Sequence, residues 1–292
     1  MRKSLSGGLL GLSGLSAVGS LLISLPLSYN DGSDIISLLV SSAFSFLLII
    51  FFYPIAVKFF GSDFPSNKVL RFLKIFVFIF LETVLIIIAI TTLCDLSSFT
   101  KRVVLPEVNL GFILTVFGIV GFIIGTGKIS ALSKTATVSL LAVAVLSVVI
   151  FFFSVPDMSF KYIKPRESFD MFSALKTSLS FFLSSFAPGF VLVSVIGGKI
   201  SDKRSVMIGS SVGGAVILLA VLNTLLVFGG EFSCELSYPY VSAVKTVGEK
   251  DVFSGMEGFL YFTVFLSSII KAALAFCGIK LLSKEICEIK KF

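Results

Sequence analysis

The stretch "SSFAPGFVLV", residues 184–193, lies inside an apolar run long enough to cross a bilayer. Pro188 removes a backbone donor there and Gly189 loosens the chain. In hydrocarbon, an interrupted helix is tolerated only where protein or a water-filled cavity covers the freed backbone groups. The stretch therefore marks either a kinked structural helix or the wall of a binding site. Near the other end of the chain, "SAVGSLLIS" at 16–24 echoes "FAPGFVLVS" at 186–194: Ala17 aligns with Ala187, Gly19 with Gly189 and Ser24 with Ser194. Paired glycine-interrupted spans in two oppositely oriented halves point to an inverted-repeat membrane fold. Chance similarity between Gly- and Ser-rich spans is the competing explanation.

Composition sets the solvent. The chain has 292 residues, 56% hydrophobic and 14% charged, with neither His nor Trp and with 33 Phe. Soluble domains carry about 25% charged residues, so the deficit identifies a polytopic helical membrane protein. The net charge of +7 is dispersed in short segments between apolar runs, a topogenic pattern rather than a nucleic-acid surface. Without histidine there is no Ser/His/Asp or Cys/His constellation. The cysteines Cys94, Cys234, Cys277 and Cys287 have no metal-ligand spacing. The chain reads as non-enzymatic, with no metal and no cofactor.

A span needs about 20 apolar residues at 1.5 Å each. Eight candidates are predicted, at 8–26, 36–57, 70–94, 108–126, 135–155, 171–198, 206–229 and 257–280, in one polytopic membrane domain over 1–292. Arg2 and Lys3 precede a glycine-rich apolar stretch that lacks a small-x-small end, so the N-terminus reads as the first span more than as a cleaved signal. The N-terminus, every second connection and the tail hold 15 of the 24 basic residues, and the other side holds twelve of the 17 acidic ones. Both termini are thus expected in the cytoplasm.

A broken helix exposes N–H groups at one broken end and C=O groups at the other, which suits a zwitterionic amino acid. Gly19, Ser20, Ser185, Ala187, Pro188 and Gly189 are the predicted lining. The alternative is a proline kink with small residues for close packing. Two charges lie deep in spans, Glu82 in "FVFIFLETVLIIIAI" and Lys271 in "FLSSIIKAALAF", and each costs about 3 kcal/mol at the bilayer centre. Counted from the expected inner ends of their spans they stand about 18 Å and about 14 Å deep. They are expected to form a mid-membrane pair, either beside a ligand cavity, with Lys271 in place of a coupling cation and Glu82 as proton acceptor, or as a purely structural ion pair.

Several passages, in order over residues 10–280, resemble one family. These are "AVGSLLISLPLSYNDGSDIISLL" at 17–39, "PEVNLGFILTVFGIVGFIIGTGKISALSK" at 106–134, "FSVPDMSFKYIKP" at 153–165, "SFAPGF" at the sixth-span break, and 237–276, which includes Tyr238-Pro239 and Lys271. The chain resembles the B subunit of spore germinant receptors (GerAB-type), a branch of the amino acid–polyamine–organocation superfamily. The resemblance implies an all-α, LeuT-like five-plus-five inverted repeat with broken helices 1 and 6. Its first repeat would cover about 8–155 and a partial second repeat about 171–283. It also implies a nutrient-sensing subunit in the spore inner membrane that binds a small molecule, such as an amino acid, and associates with A- and C-type subunits. The alternative within the superfamily is an amino acid/cation secondary transporter. The family usually has ten helices and eight are counted here, so the second repeat is truncated. That weighs more against autonomous transport than against sensing.

Overall fold

Nearly all of the apolar runs must satisfy their backbone groups internally, and in a bilayer a single chain does that with helices. The computed structural model describes residues 2–22, 68–162, 203–248 and 256–289, with isolated positions between 40 and 59 and between 172 and 195. Among the described residues every regular element is helical. Helix α1 runs from Arg2 to Val18 and passes into a 3₁₀ turn, Gly19–Leu22. Helix α2 covers Lys68–Phe99 and ends in a π turn, Thr100–Val104. Helices α3, Leu110–Thr126, and α4, Ile129–Ser154, follow. Beyond them come α5, Lys203–Phe228, the short α6, Gly230–Glu235, and α7, Pro239–Gly248. The last and longest is α8, Met256–Ile289.

Four of these segments are long and apolar enough to cross a bilayer: Arg71–Val104, Ile129–Asp157, Arg204–Phe228 and Glu257–Cys287. The protein is an all-α membrane protein in build. The expected spans at 36–57 and 171–198 fall largely outside the described residues, and so does the second half of the sequence echo. Local sequence explains the ends that are seen. Asn109 caps α3, its Oδ1 accepting from the Gly111 amide at 2.8 Å, in place of a helical partner.

Helix α8 is the hub, and it packs on α1, α2, α3, α4 and α7. Two-thirds of its apolar window is buried, 67%, against 28% for α2. Helix α2 turns Phe72, Phe76, Phe80, Ile87 and Ile90 outward, as a helix in lipid does.

Helix α1 lies against α4 and α5 through small residues that let backbones meet. A side-chain carbon on Gly213 would stand 2.7 Å from the Gly14 carbonyl oxygen, and one on Gly209 would collide with the Leu10 carbonyl. Ser13 Oγ lies 3.1 Å from the Val206 carbonyl and so also ties α1 to α5. With α1 seated so closely, the chain that leaves it at Gly19 enters the middle of the bundle, beside α8.

Candidate functional site

Helix α1 stops at a buried glycine. Gly19 has φ +29°, a left-handed backbone that L side chains rarely adopt. The side chain of Lys271, 3% exposed, lies across this residue: a Cβ on Gly19 would overlap the lysine Cδ, and Nζ is 3.0 Å from that point. Two independent conditions, the positive φ and the close approach, thus require glycine here. The C-terminal end of α1 is the negative end of its dipole. The ammonium of Lys271 stands beside that end.

Three residues of α8 at successive turns, Thr263, Ser267 and Lys271, form a buried polar stripe, with Ser268 on its flank. Ser267 Oγ lies 2.7 Å from its own-helix Thr263 carbonyl and 3.3 Å from the Gly19 carbonyl. The hydroxyl therefore bonds chiefly within α8 and touches the break with what remains. Ser268 Oγ is buried with no hydrogen-bond partner among the described residues, as is Ser97 Oγ on α2. Buried polar atoms without partners are uncommon; two others among the described residues, Arg71 Nε on α2 and Asn223 Oδ1 on α5, lie elsewhere.

Which acid comes nearest the level of Lys271 is set by the register of α2 against α8. Phe99 stacks edge-on against Tyr261 and Phe265, with ring centroids 5.8 and 6.2 Å apart. Leu85 Cδ1 lies 2.7 Å from where a Cβ on Gly278 would stand. Glu82 accepts a hydrogen bond from Ser283 Oγ at 2.6 Å. Numbers that rise along α2 fall along α8, so the helices are antiparallel, and Lys271 comes level with Thr92. Asp95 lies one turn beyond Thr92 and is half-buried.

This corrects the expected Glu82–Lys271 pair. Glu82 sits at Ser283, twelve residues or about 18 Å along α8 from Lys271. The reason is the register. The expectation set the inner ends of the two spans at one level, whereas Ile289 of α8 comes level with a point near residue 75, inside α2. Both charges are near the middle of their own helices, and the offset of the helices separates them.

Of the predicted lining, Gly19 is brought to Lys271, and Ser20 lies in the 3₁₀ turn that follows. Ser185, Ala187, Pro188 and Gly189 lie outside the described residues. Sequence reasoning missed Asp95, Ser267 and Ser268. The signal for Ser267 was its place one turn before Lys271, and for Asp95 its place one turn after Thr92 in "TTLCDLSS".

An aromatic layer closes the site on one side. Phe99 also meets Tyr238 at 5.6 Å, and Phe265 meets Phe117 at 5.8 Å. Along α8, Phe265 is six residues or about 9 Å from Lys271. Next to this layer Tyr240, on α7, is 2% exposed, and burial pushes its hydroxyl pKa up from the ordinary 10.0. On the rim, Tyr261 donates to Glu257 at 2.7 Å, and Lys245 approaches the same carboxylate at 3.9 Å. Cys94 carries a free thiol. No protein-family model matches this chain, and no curated protein matches it.

Proposed function

We propose that this chain is the membrane subunit of a spore germinant receptor, one that binds a small polar molecule such as an amino acid at the break of α1 and passes on its presence as a shift between conformations. The observation that carries this reading is the buried, positive-φ glycine at the end of α1, covered by an intramembrane lysine and touched by Ser267. Ionisable residues in membrane helices mark functional sites by default, and unwound backbone at that depth is the usual material of a substrate site in inverted-repeat folds. The sequence resemblance supplies the rest: a five-plus-five repeat, A- and C-type partner subunits, the spore inner membrane and cytoplasmic termini. Gly19 and Ser20 form the half of the site on α1, and Ser185, Ala187, Pro188 and Gly189 the half on the sixth span.

The test is a thermal-stability screen of the purified complex with A- and C-type subunits against the common L-amino acids. One or a few amino acids should raise the midpoint, and Gly19→Ala should abolish the rise. No response to any amino acid, with the complex intact, would contradict the reading. Uptake of a labelled amino acid into proteoliposomes that contain this chain alone would favour the secondary-transporter alternative, in which Lys271 stands in place of a coupling cation at the carbonyl end of the break.

A further inference from the structure

Lys271 and Ser268 are both buried and stand three residues apart on α8, so their side chains are neighbours on one face of the helix. Both end in donors that the fold leaves unused. The Ser268 hydroxyl has no hydrogen-bond partner among the described residues. Nor, among those residues, does a hydrogen bond or ion pair reach the Lys271 ammonium. On α2, Ser97 Oγ, equally without a partner, comes within a turn of the same level. The charges do not balance either. The C-terminal end of a helix carries about half a negative charge, and the lysine that lies across Gly19 brings a whole positive one. Asp95 is the acid nearest in level, but it is half-buried and takes part in an interaction of its own. Glu82 is level with Ser283, about 18 Å away, and Glu257 and Glu285 lie about 21 Å away along α8. A buried ammonium persists only beside a counter-charge.

We infer that Ser268 and Lys271 receive a carboxylate of the guest, so that the molecule held at the break of α1 is an organic acid or an amino acid and not a simple amine. This rests on the break as the binding site of the proposed function, and it names the group that is recognised there. A carboxylate offers two oxygens, one for the ammonium and one for the hydroxyl, and its bond to the ammonium is charge-assisted. Ser267 does not compete, because its hydroxyl bonds to the Thr263 carbonyl and touches that of Gly19. An amine would bring a second cation beside Lys271, and like charges repel strongly where water is excluded.

The test heats the full-length chain in detergent with sodium formate, ethylammonium chloride or sodium chloride at equal ionic strength. Formate is the smallest carboxylate and asks nothing of the rest of the site. The midpoint should rise by a few degrees in formate over sodium chloride, and ethylammonium should give no rise. In K271M the formate rise should vanish. In S268A the midpoint without formate should equal or exceed that of wild type, because an unpaired buried hydroxyl has been removed, while the formate rise is at least halved. S268A carries the test where K271M gives no folded protein. A wild type that does not distinguish formate from chloride overturns the inference, and so does a formate rise of full size in S268A. An amino-acid response of the complex with A- and C-type subunits, without a formate response of this chain, keeps the proposed function and overturns the carboxylate contact. A formate response that S268A weakens, with no amino acid acting on the complex, upholds the contact and removes the amino acid from the proposed function.

Discussion

Helix α2 carries two carboxylates, one near its middle and one toward its end, and they behave differently. Glu82 sits in the most apolar part of the sequence, yet it meets only the hydroxyl of Ser283. Asp95 sits where the sequence turns polar, yet the register sets it one turn from the level of the buried Lys271. The contrast teaches that depth is a property of two packed helices and not of one hydropathy profile. An antiparallel partner assigns each residue its level, and α8, longer than its apolar core, shifts that level by several residues.

The comparison breaks most readily at Lys271. With the lysine replaced by Met, its charge at the end of α1 and its packing across Gly19 are both lost, and stability should fall by about 3 kcal/mol, seen as a lower midpoint in thermal unfolding in detergent. Phe99→Ala, in the aromatic layer between the Asp95 end and α7, should cost about 3–5 kcal/mol as well, since Phe99 is fully buried and a large cavity replaces it. A loss below about 1 kcal/mol would mean that the layer is loosely packed.

Gly19→Ala comes next. It combines an unfavourable backbone with a collision against Lys271, for about 1–3 kcal/mol from strain alone. Suppression of that loss by a shorter side chain at 271, for example in G19A/K271A relative to K271A alone, would show that the collision contributes. Glu82→Gln is the contrasting control: the amide keeps an oxygen to accept from Ser283, so the change should stay within about 1.5 kcal/mol. A loss as large as that of K271M would reverse the assignment of the two carboxylates.

The smallest expected effect is a pH dependence outside the spans. The Tyr240 hydroxyl has its pKa raised in the folded protein by burial, so above pH 10 the unfolded chain releases a proton that the folded chain retains. Stability then falls as pH rises, by about 1.4 kcal/mol per pH unit for this one group. Tyr240→Phe should flatten that part of the curve relative to wild type. Identical slopes in the two proteins would mean that the hydroxyl is not sequestered.

Much of this was legible in the sequence, for physical reasons. Long apolar runs with few charges can only be helices in a bilayer, so α2, α4, α5 and α8 followed from hydropathy. Gly19 stood out because glycine in a span, followed by serine, weakens the helix where nothing else explains it. Lys271 stood out because a charge in hydrocarbon is expensive. Which residues of α2 come level with that lysine was not legible, because a single span carries no information about register. The short helices α6 and α7 fall between the expected spans, since six and ten residues give no sustained period. Thr263 and Ser267 were hidden for another reason: hydroxyls that bond back to their own helix look, in sequence, like ordinary small residues.

The register of α2 against α8 decides the account, and paired cysteines read it directly. In a background without native cysteines, Glu82→Cys with Ser283→Cys should oxidise to a disulfide rapidly with copper phenanthroline, and Glu82→Cys with Lys271→Cys should not, since the two levels are about 18 Å apart. A rapid link between positions 82 and 271, with none between 82 and 283, would contradict the register and remove Asp95 from the site.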